Sequence, residues 1–338
     1  MADKIEIRSP YLLFIGDMQD RTDAKTALGL VHWRPDLVAG QLRLNRAAAD
    51  LGVEDMDVEA AVKAGAKSLV IGVATVGGVI PAAWWEVICA AARAGLDIVS
   101  GLHGSLASNP ELVAAAESSG ARLIDVRVPP KNLPVGTGRK RTGLRVLTVG
   151  TDCAVGKKYS ALALTAALQE LGIRATYRAT GQTGIMIAGE GVPIDAVVSD
   201  FVAGAAEILS PDNEPDHWDV IEGQGSLFHP GYAAVSLGLL HGSQPDAIVV
   251  CHDATRTAVS GWPDYTVTSV ADCIDLNLVL GRRTNPNIRC VGVCVNTSQL
   301  QPDERKSYLE DLSSAVGLPC VDPVIDGCAA IAELLTGA

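Results

Sequence analysis

Aromatic residues are scarce: Phe, Trp and Tyr make up 4% of the 338 residues. Sheets built from many short strands lean on aromatic cross-strand pairs, so the scarcity turns the reading toward layered helices and sheets. Positive charge is also short, with 27 Lys and Arg against 39 Asp and Glu and a formal net charge of −12. A chain this acidic lacks the basic face that duplex binding needs, which excludes nucleic acid as a main partner. The longest apolar runs are brief and broken by glycine, so no membrane span is read. The first residues, Met1-Ala-Asp-Lys-Ile-Glu-Ile-Arg8, are charged and have no apolar core, so no secretory leader is read either. None of the eight cysteines stands in C-x-x-C spacing, and several fall inside apolar runs. We read them as reduced thiols of a cytoplasmic protein. Cys290 and Cys294 have no third ligand of suitable spacing nearby, so no metal site is assigned.

What is present is a chain 48% apolar, rich in Ala, Val, Leu and Gly, and long enough for two domains. Residues 128–143 are rich in Pro and Gly, carry the basic run Arg139-Lys-Arg141 and show no apolar period. They mark the boundary, giving domains at 1–135 and 136–338. Before it, buried strands are expected at 11–15, 68–73, 97–100 and 122–126, with helices at 81–94 and 110–118. After it, strands are expected at 144–149, 175–179, 218–222, 247–252 and 288–296. Helices are expected at 158–170, 195–209, 268–280, 303–316 and 326–335. The fold class is α/β: a Rossmann-like N-terminal domain plus a C-terminal domain like a P-loop NTPase, with a mainly parallel sheet. The dinucleotide fingerprint GxGxxG is absent, so dinucleotide binding is not supported.

The strongest motif is Gly150-Thr-Asp-Cys-Ala-Val-Gly156-Lys157, which fits GxxxxGK and lies between an expected strand and an expected helix. Such a loop turns its backbone N–H groups into one concavity, and the helix adds its positive end. The ligand contacts would come from Gly150, Thr151, Asp152, Cys153, Ala154, Val155, Gly156, Lys157, Lys158 and Tyr159. Lys158 breaks the pattern. In P-loop hydrolases a Ser or Thr hydroxyl at this position coordinates Mg²⁺. A protonated lysine cannot ligate a cation, but it suits another phosphate. We therefore expect a pyrophosphate-bearing ligand held without an obligatory metal, and coenzyme A fits. The plain alternative is a tight turn with solvated lysines.

Three more segments end strands, where ligands of open α/β sheets gather. Ala179-Thr-Gly-Gln-Thr-Gly184 offers Gln182 and Thr183. Val220-Ile-Glu-Gly-Gln-Gly-Ser226 offers Glu222. Cys290-Val-Gly-Val-Cys-Val-Asn-Thr297 offers Asn296, an amide suited to an adenine edge.

These three P-loop-domain segments (GTDCAVGK, GQTG and EGQGS) resemble the corresponding loops of dethiobiotin synthetase and its P-loop relatives. Over nearly its full length the chain is similar to a narrower family, the D-glutamate N-acetyltransferase (DgcN-type) family. That family was long known only as a domain of unknown function with a Rossmann-like N-terminal half and a P-loop C-terminal half. The likeness is carried by the P-loop, by Gly16-Asp-Met-Gln-Asp-Arg-Thr-Asp-Ala-Lys-Thr-Ala27 and by Trp33-Arg-Pro35. Gly101-Leu-His-Gly104 and Val198-Ser-Asp-Phe-Val-Ala-Gly-Ala-Ala-Glu207 add to it. The resemblance implies acetyl transfer from acetyl-CoA to the amino group of D-glutamate. The partners are then these two small molecules and, since P-loop proteins of this class often dimerise, further copies of the chain in a homodimer or higher homo-oligomer.

Such a reaction needs a base for the amine and a stabiliser for the oxyanion. Glu222 is the first candidate base, with a structural acid that holds the P-loop as the competing reading. Asp200, His229 and His103 follow. A substrate with two carboxylates calls for Arg or Lys. Arg178, Lys25, Arg34 and Arg127 are the candidates, each also readable as an ordinary surface or ion-pair residue. The basic run at 139–141 could meet the 3′-phosphate of the coenzyme or be a solvated linker. Two other readings remain open: an ATP- and Mg²⁺-dependent ligase or carboxylase of the dethiobiotin synthetase type, and a nucleotide-sensing module.

Overall fold

The structure, a computed structural model, describes residues 5–21, 23–73, 75 and 78–337. Residues 1–4 of the charged stretch Met1 to Arg8 lie outside them, as does Thr22 of the segment Gly16 to Ala27. The chain forms two compact units. One contains Asp3–Pro129 and also Gln182–Pro193; the other contains Pro130–Gly181 and Ile194–Ala338. The chain thus leaves the second unit at Gly181, adds one helix, Gln182–Ala188, to the first, and returns at Ile194.

The first unit is a five-stranded parallel sheet: β1 (Tyr11–Gly16), β2 (Val38–Arg43), β3 (Ser68–Ile71), β4 (Asp97–Ser100) and β5 (Leu123–Asp125), in the order β2-β1-β3-β4-β5. All six residues of β1, Tyr-Leu-Leu-Phe-Ile-Gly, are buried. Such an unbroken apolar run is the mark of a parallel strand covered on both faces. The helices cap themselves. Asn109 accepts from Leu112 N–H at the start of Pro110–Ser119, and Gly120 closes it at φ +75°. Strand β2 was not expected; its Val-Ala-Gly-Gln-Leu-Arg sequence mixes polar and small residues, and only its middle is buried.

The second unit holds a six-stranded parallel sheet of β6 (Leu144–Gly150), β7 (Ala175–Arg178), β8 (Trp218–Ile221), β9 (Ala247–Asp253), β12 (Arg289–Asn296) and β13 (Cys320–Val321). Its order is β13-β12-β9-β6-β8-β7, and a small antiparallel hairpin, β10 (Ala258–Val259) with β11 (Trp262–Thr266), stands apart. The helix expected at 195–209 begins only at Val202. Two short 3₁₀ turns, Ile194–Ala196 and Ser199–Phe201, precede it, because Val198 adopts φ −58°, ψ 136°, outside the helical region.

The basic run at 139–141 divides: Arg139 and Lys140 are exposed, as a solvated linker would have them, whereas Arg141 is not. Arg141 is buried, and its guanidinium donates to the carbonyls of Glu207, Ser210, Gly242 and Ser243. Burial pushes Arg141 down to about 10. Arg139 pairs with Asp212, and Lys140 with Asp246. Burying a cation is costly unless its donors are paired; backbone carbonyls pair Nη1 and Nη2, while Nε is buried without a partner. Among the described residues no helix is long and apolar enough to cross a membrane.

Candidate functional site

Strand β6 ends at Gly150, and the helix Lys157–Glu170 begins seven residues later. Between them the loop takes left-handed backbone at Ala154 (φ 53°) and at Gly156 (φ 99°), the N-cap of the helix. Lys157 is buried, and its Nζ donates to the carbonyl of Asp152 at 2.8 Å. Burial lowers the pKa of this ammonium. A cation held in a dry loop against a backbone carbonyl is poised for a negative charge.

The other loop side chains are fixed from β9. Asp152 is fully buried, and its Oδ2 accepts from Arg256 Nη1 at 3.0 Å and from Ser260 N–H at 2.8 Å. Its Oδ1 accepts from Cys153 N–H at 2.6 Å. Thr151 Oγ1 lies 2.9 Å from His252 Nδ1. Cys153 is half-buried, and burial raises its thiol. Arg256, Ser260 and His252 escaped the sequence reading. The signal was there: Asp253-Ala-Thr-Arg256 follows the carboxyl end of an apolar strand.

Glu222 follows β8 and is buried. Its Oε2 accepts three hydrogen bonds: from Tyr177 Oη at 2.8 Å, Thr180 N–H at 3.0 Å and Gly181 N–H at 3.1 Å. Burial raises its pKa, while Thr180 N–H and the charge of Lys158 pull it back. Gly223 follows, with its N–H on Thr148 Oγ1 at 2.9 Å. A Cβ there would come within 1.7 Å of Thr148 O, so only glycine allows this approach. Gln224 Nε2 donates to Thr180 Oγ1 at 2.9 Å. The Glu222–Gln224 segment and the Thr180–Gly181 turn are therefore one bonded assembly beside the P-loop.

Lys158 occupies the first turn of the helix, with its Nζ 4.4 Å from the centre of the Tyr159 ring. His229 is 1% exposed and packs against the rings of Tyr232 and Trp262. Its Nδ1 accepts from Gly231 N–H at 3.0 Å, which leaves the hydrogen on Nε2. That Nε2 is buried without a partner. One atom each of His229, Asp152 and Cys153, of the kind that binds metals, lie within 4.8 Å of one another. Asp152 is already paired with Arg256.

Asp200 is exposed on the turn Ser199–Phe201, outside the bonded assembly. Arg178 donates from Nε to buried Asp219 at 2.9 Å. Asn296 bonds Asp253 and accepts from Ser298 N–H, at the carboxyl end of β12. Arg34 grips Asp36 and donates to Ile187 O at 3.2 Å. Thr183 is buried, with its Oγ1 2.9 Å from Thr26 Oγ1. Lys25, His103, Arg127 and Gln182 line one cavity in the first unit.

Residues 134–332 match the family described as "Domain of unknown function (DUF1611_C) P-loop domain", and residues 44–129 match its "DUF1611_N Rossmann-like domain". The chain is 50% identical to a D-glutamate N-acetyltransferase from Tritonibacter scottomollicae over 329 residues, covering 97% of this chain and 99% of that protein. It is 47% identical to a D-glutamate N-acetyltransferase from a Pseudoalteromonas species, covering 96% and 97%. The crystal structure of a DUF1611 family protein from Anabaena variabilis superposes with a TM-score of 0.86 at 34% identity, over 98% of this chain and all of that one.

Proposed function

The chain belongs to the DUF1611 family that includes the D-glutamate N-acetyltransferases, and from that membership we propose that it moves the acetyl group of acetyl-CoA to the amino group of D-glutamate. In this reading the P-loop holds the phosphates of coenzyme A.

The observation that carries the reading is the state of the loop. Lys157 presents a buried ammonium and His229 a buried N–H without a partner, both at the loop that takes left-handed backbone at Ala154 and Gly156. In this reading the phosphates accept from the Lys157 ammonium and from His229 Nε2–H, which lies beside Asp152 and Cys153 of the same loop. Lys158 adds a second positive charge where P-loop hydrolases place a magnesium-binding hydroxyl. The P-loop carboxylate, Asp152, already belongs to Arg256. This set suits a diphosphate held by ammonium groups, without an obligatory metal.

Glu222 serves in this reading as the anchor that ties the Thr180–Gly181 turn to β8, since Oε2 already accepts three donors. The pantetheine arm of coenzyme A also carries the thioester well away from the phosphates, so the reacting carbon does not lie in the P-loop. The P-loop unit therefore binds and orients the donor, and thiolate departure needs little acid assistance.

The test is release of free thiol from acetyl-CoA with D- or L-glutamate. Thiol release with D-glutamate is expected, and its absence would remove the reading. Thermal stabilisation by coenzyme A in the absence of Mg²⁺ tests the P-loop assignment separately; stabilisation by Mg-ATP alone would favour a ligase.

A further inference from the structure

The first unit has a feature that the P-loop reading leaves unused. At the carboxyl ends of β3 and β4, beside the start of the helix Lys25–Trp33, lies a cavity of about 300 Å³. It sits where ligands collect in such sheets: in the order β2-β1-β3-β4-β5 the chain turns one way from β1 to β2 and the other way from β3 onward. The volume is at the small end of small-molecule sites, suited to one amino acid and too small for a nucleotide.

Its lining is positive. Lys25 and Arg127 are present, His103 stands beside them, and among the described residues no lining residue is Asp or Glu. That is a local reversal in a chain of net charge −12. The geometry is set by the backbone. Arg127 Nε donates to Gly101 O at 2.8 Å, which orients the guanidinium. Gly104 N–H bonds Gly78 O at 3.1 Å and closes the loop that carries His103. Gly78 has φ +66°, and a Cβ on it would come within 2.6 Å of His103 Cδ2, so glycine is needed for the imidazole to sit there. Gln182 completes the wall; the residue before it is Gly181, which bonds Glu222 in the P-loop unit.

We propose that this cavity is the acceptor site and that its ligand is a short dicarboxylic amino acid. Arg127 takes one carboxylate through its fork, Lys25 takes the other, and His103 is the base for the amino group. The proposal rests on the acetyl-transfer reading for its chemistry. The ammonium gives one proton to the His103 imidazole, and the freed amine attacks the thioester carbonyl. The C–N bond forms as the C–S bond breaks. The second nitrogen proton goes to the departing thiolate, and the His103 proton goes to solvent. The products are the N-acetyl amino acid, coenzyme A thiol and one proton.

The test uses the full chain with Lys25→Ala and His103→Gln, two exposed positions whose change leaves the core intact. Steady-state kinetics should show the D-glutamate KM of Lys25→Ala raised about tenfold or more, from loss of one charge-assisted bond, with the acetyl-CoA KM unchanged. His103→Gln should lower kcat by about 100-fold or more. Unaltered D-glutamate parameters in both variants would overturn the site. Calorimetric binding of D-glutamate and of glutarate, which needs no turnover, separates the two claims. If wild type releases no thiol yet binds D-glutamate and Lys25→Ala does not, the acetyl-transfer reading fails and the site stands. If wild type binds neither ligand with or without coenzyme A, the site fails.

Discussion

Arg256 and Asp152 are joined by a 3.0 Å hydrogen-bonded ion pair that ties the P-loop to the segment after β9. The carboxylate is fully buried, whereas the guanidinium is partly open to solvent. Removing the arginine strands a buried charge. Arg256→Ala should therefore cost about 3–5 kcal/mol, the range for breaking a buried pair from one side. A urea unfolding curve checks it, and a loss under 1 kcal/mol, the scale of a surface pair, would count against the pair as a structural lock.

Lys157→Ala should raise the acetyl-CoA KM far more than the D-glutamate KM. A hydrogen bond to a charged group contributes about 1.5–3 kcal/mol, or roughly 10- to 150-fold. The pH dependence has a defined sign. Burial lowers the pKa of Lys157, and a bound phosphate raises it again. Coenzyme A affinity should be flat below the lowered value and fall as the pH rises above it. Titration calorimetry across alkaline pH would show this, and an alanine variant should lose the slope.

Lys158→Ser restores the hydroxyl of a P-loop hydrolase. We expect a weaker acetyl-CoA KM that added Mg²⁺ does not repair, because Asp152 remains occupied by Arg256. Repair by Mg²⁺ would mean that the ammonium stands in for a metal site still open to the ion.

Glu222→Gln should lower stability by about 1–3 kcal/mol, the cost of disturbing a buried acceptor. Burial raises Glu222 above the ordinary 4.5, so the native state holds this proton more tightly than the unfolded chain. The stability difference between wild type and variant should be largest below 4.5 and shrink as the pH rises through the raised value. Denaturant melts at several pH values test it; a difference that grows with pH would contradict the burial assignment.

The parallel strands and the phosphate loop were legible because both are local. Tyr11 to Gly16 is a continuous apolar run, and Gly150 to Lys157 carries its spacing in eight consecutive residues. The hidden parts depend on tertiary structure. Nothing near Arg141 announces that carbonyls from Glu207 to Ser243 will surround it. Arg178 looked like a carboxylate clamp, but its partner Asp219 lies on the neighbouring strand β8. His103 and Arg127 meet only because successive strand ends of one sheet lie side by side. The helix Gln182–Ala188 was read as a ligand loop, since seven residues with an internal glycine give little helical pattern.

That short helix decides how the gene can be cut. Ile185, Met186 and Ile187 are at most 2% exposed, and they lie within the segment Gln182–Pro193 that belongs to the first unit. A fragment ending at Pro129 would lack a piece of its own interior, and a fragment beginning at Pro130 would carry that piece with nowhere to bury it. Splitting the protein at the proline-rich stretch should thus yield two insoluble halves. Co-expressed, they should recover each other, as the fragments of a split reporter do.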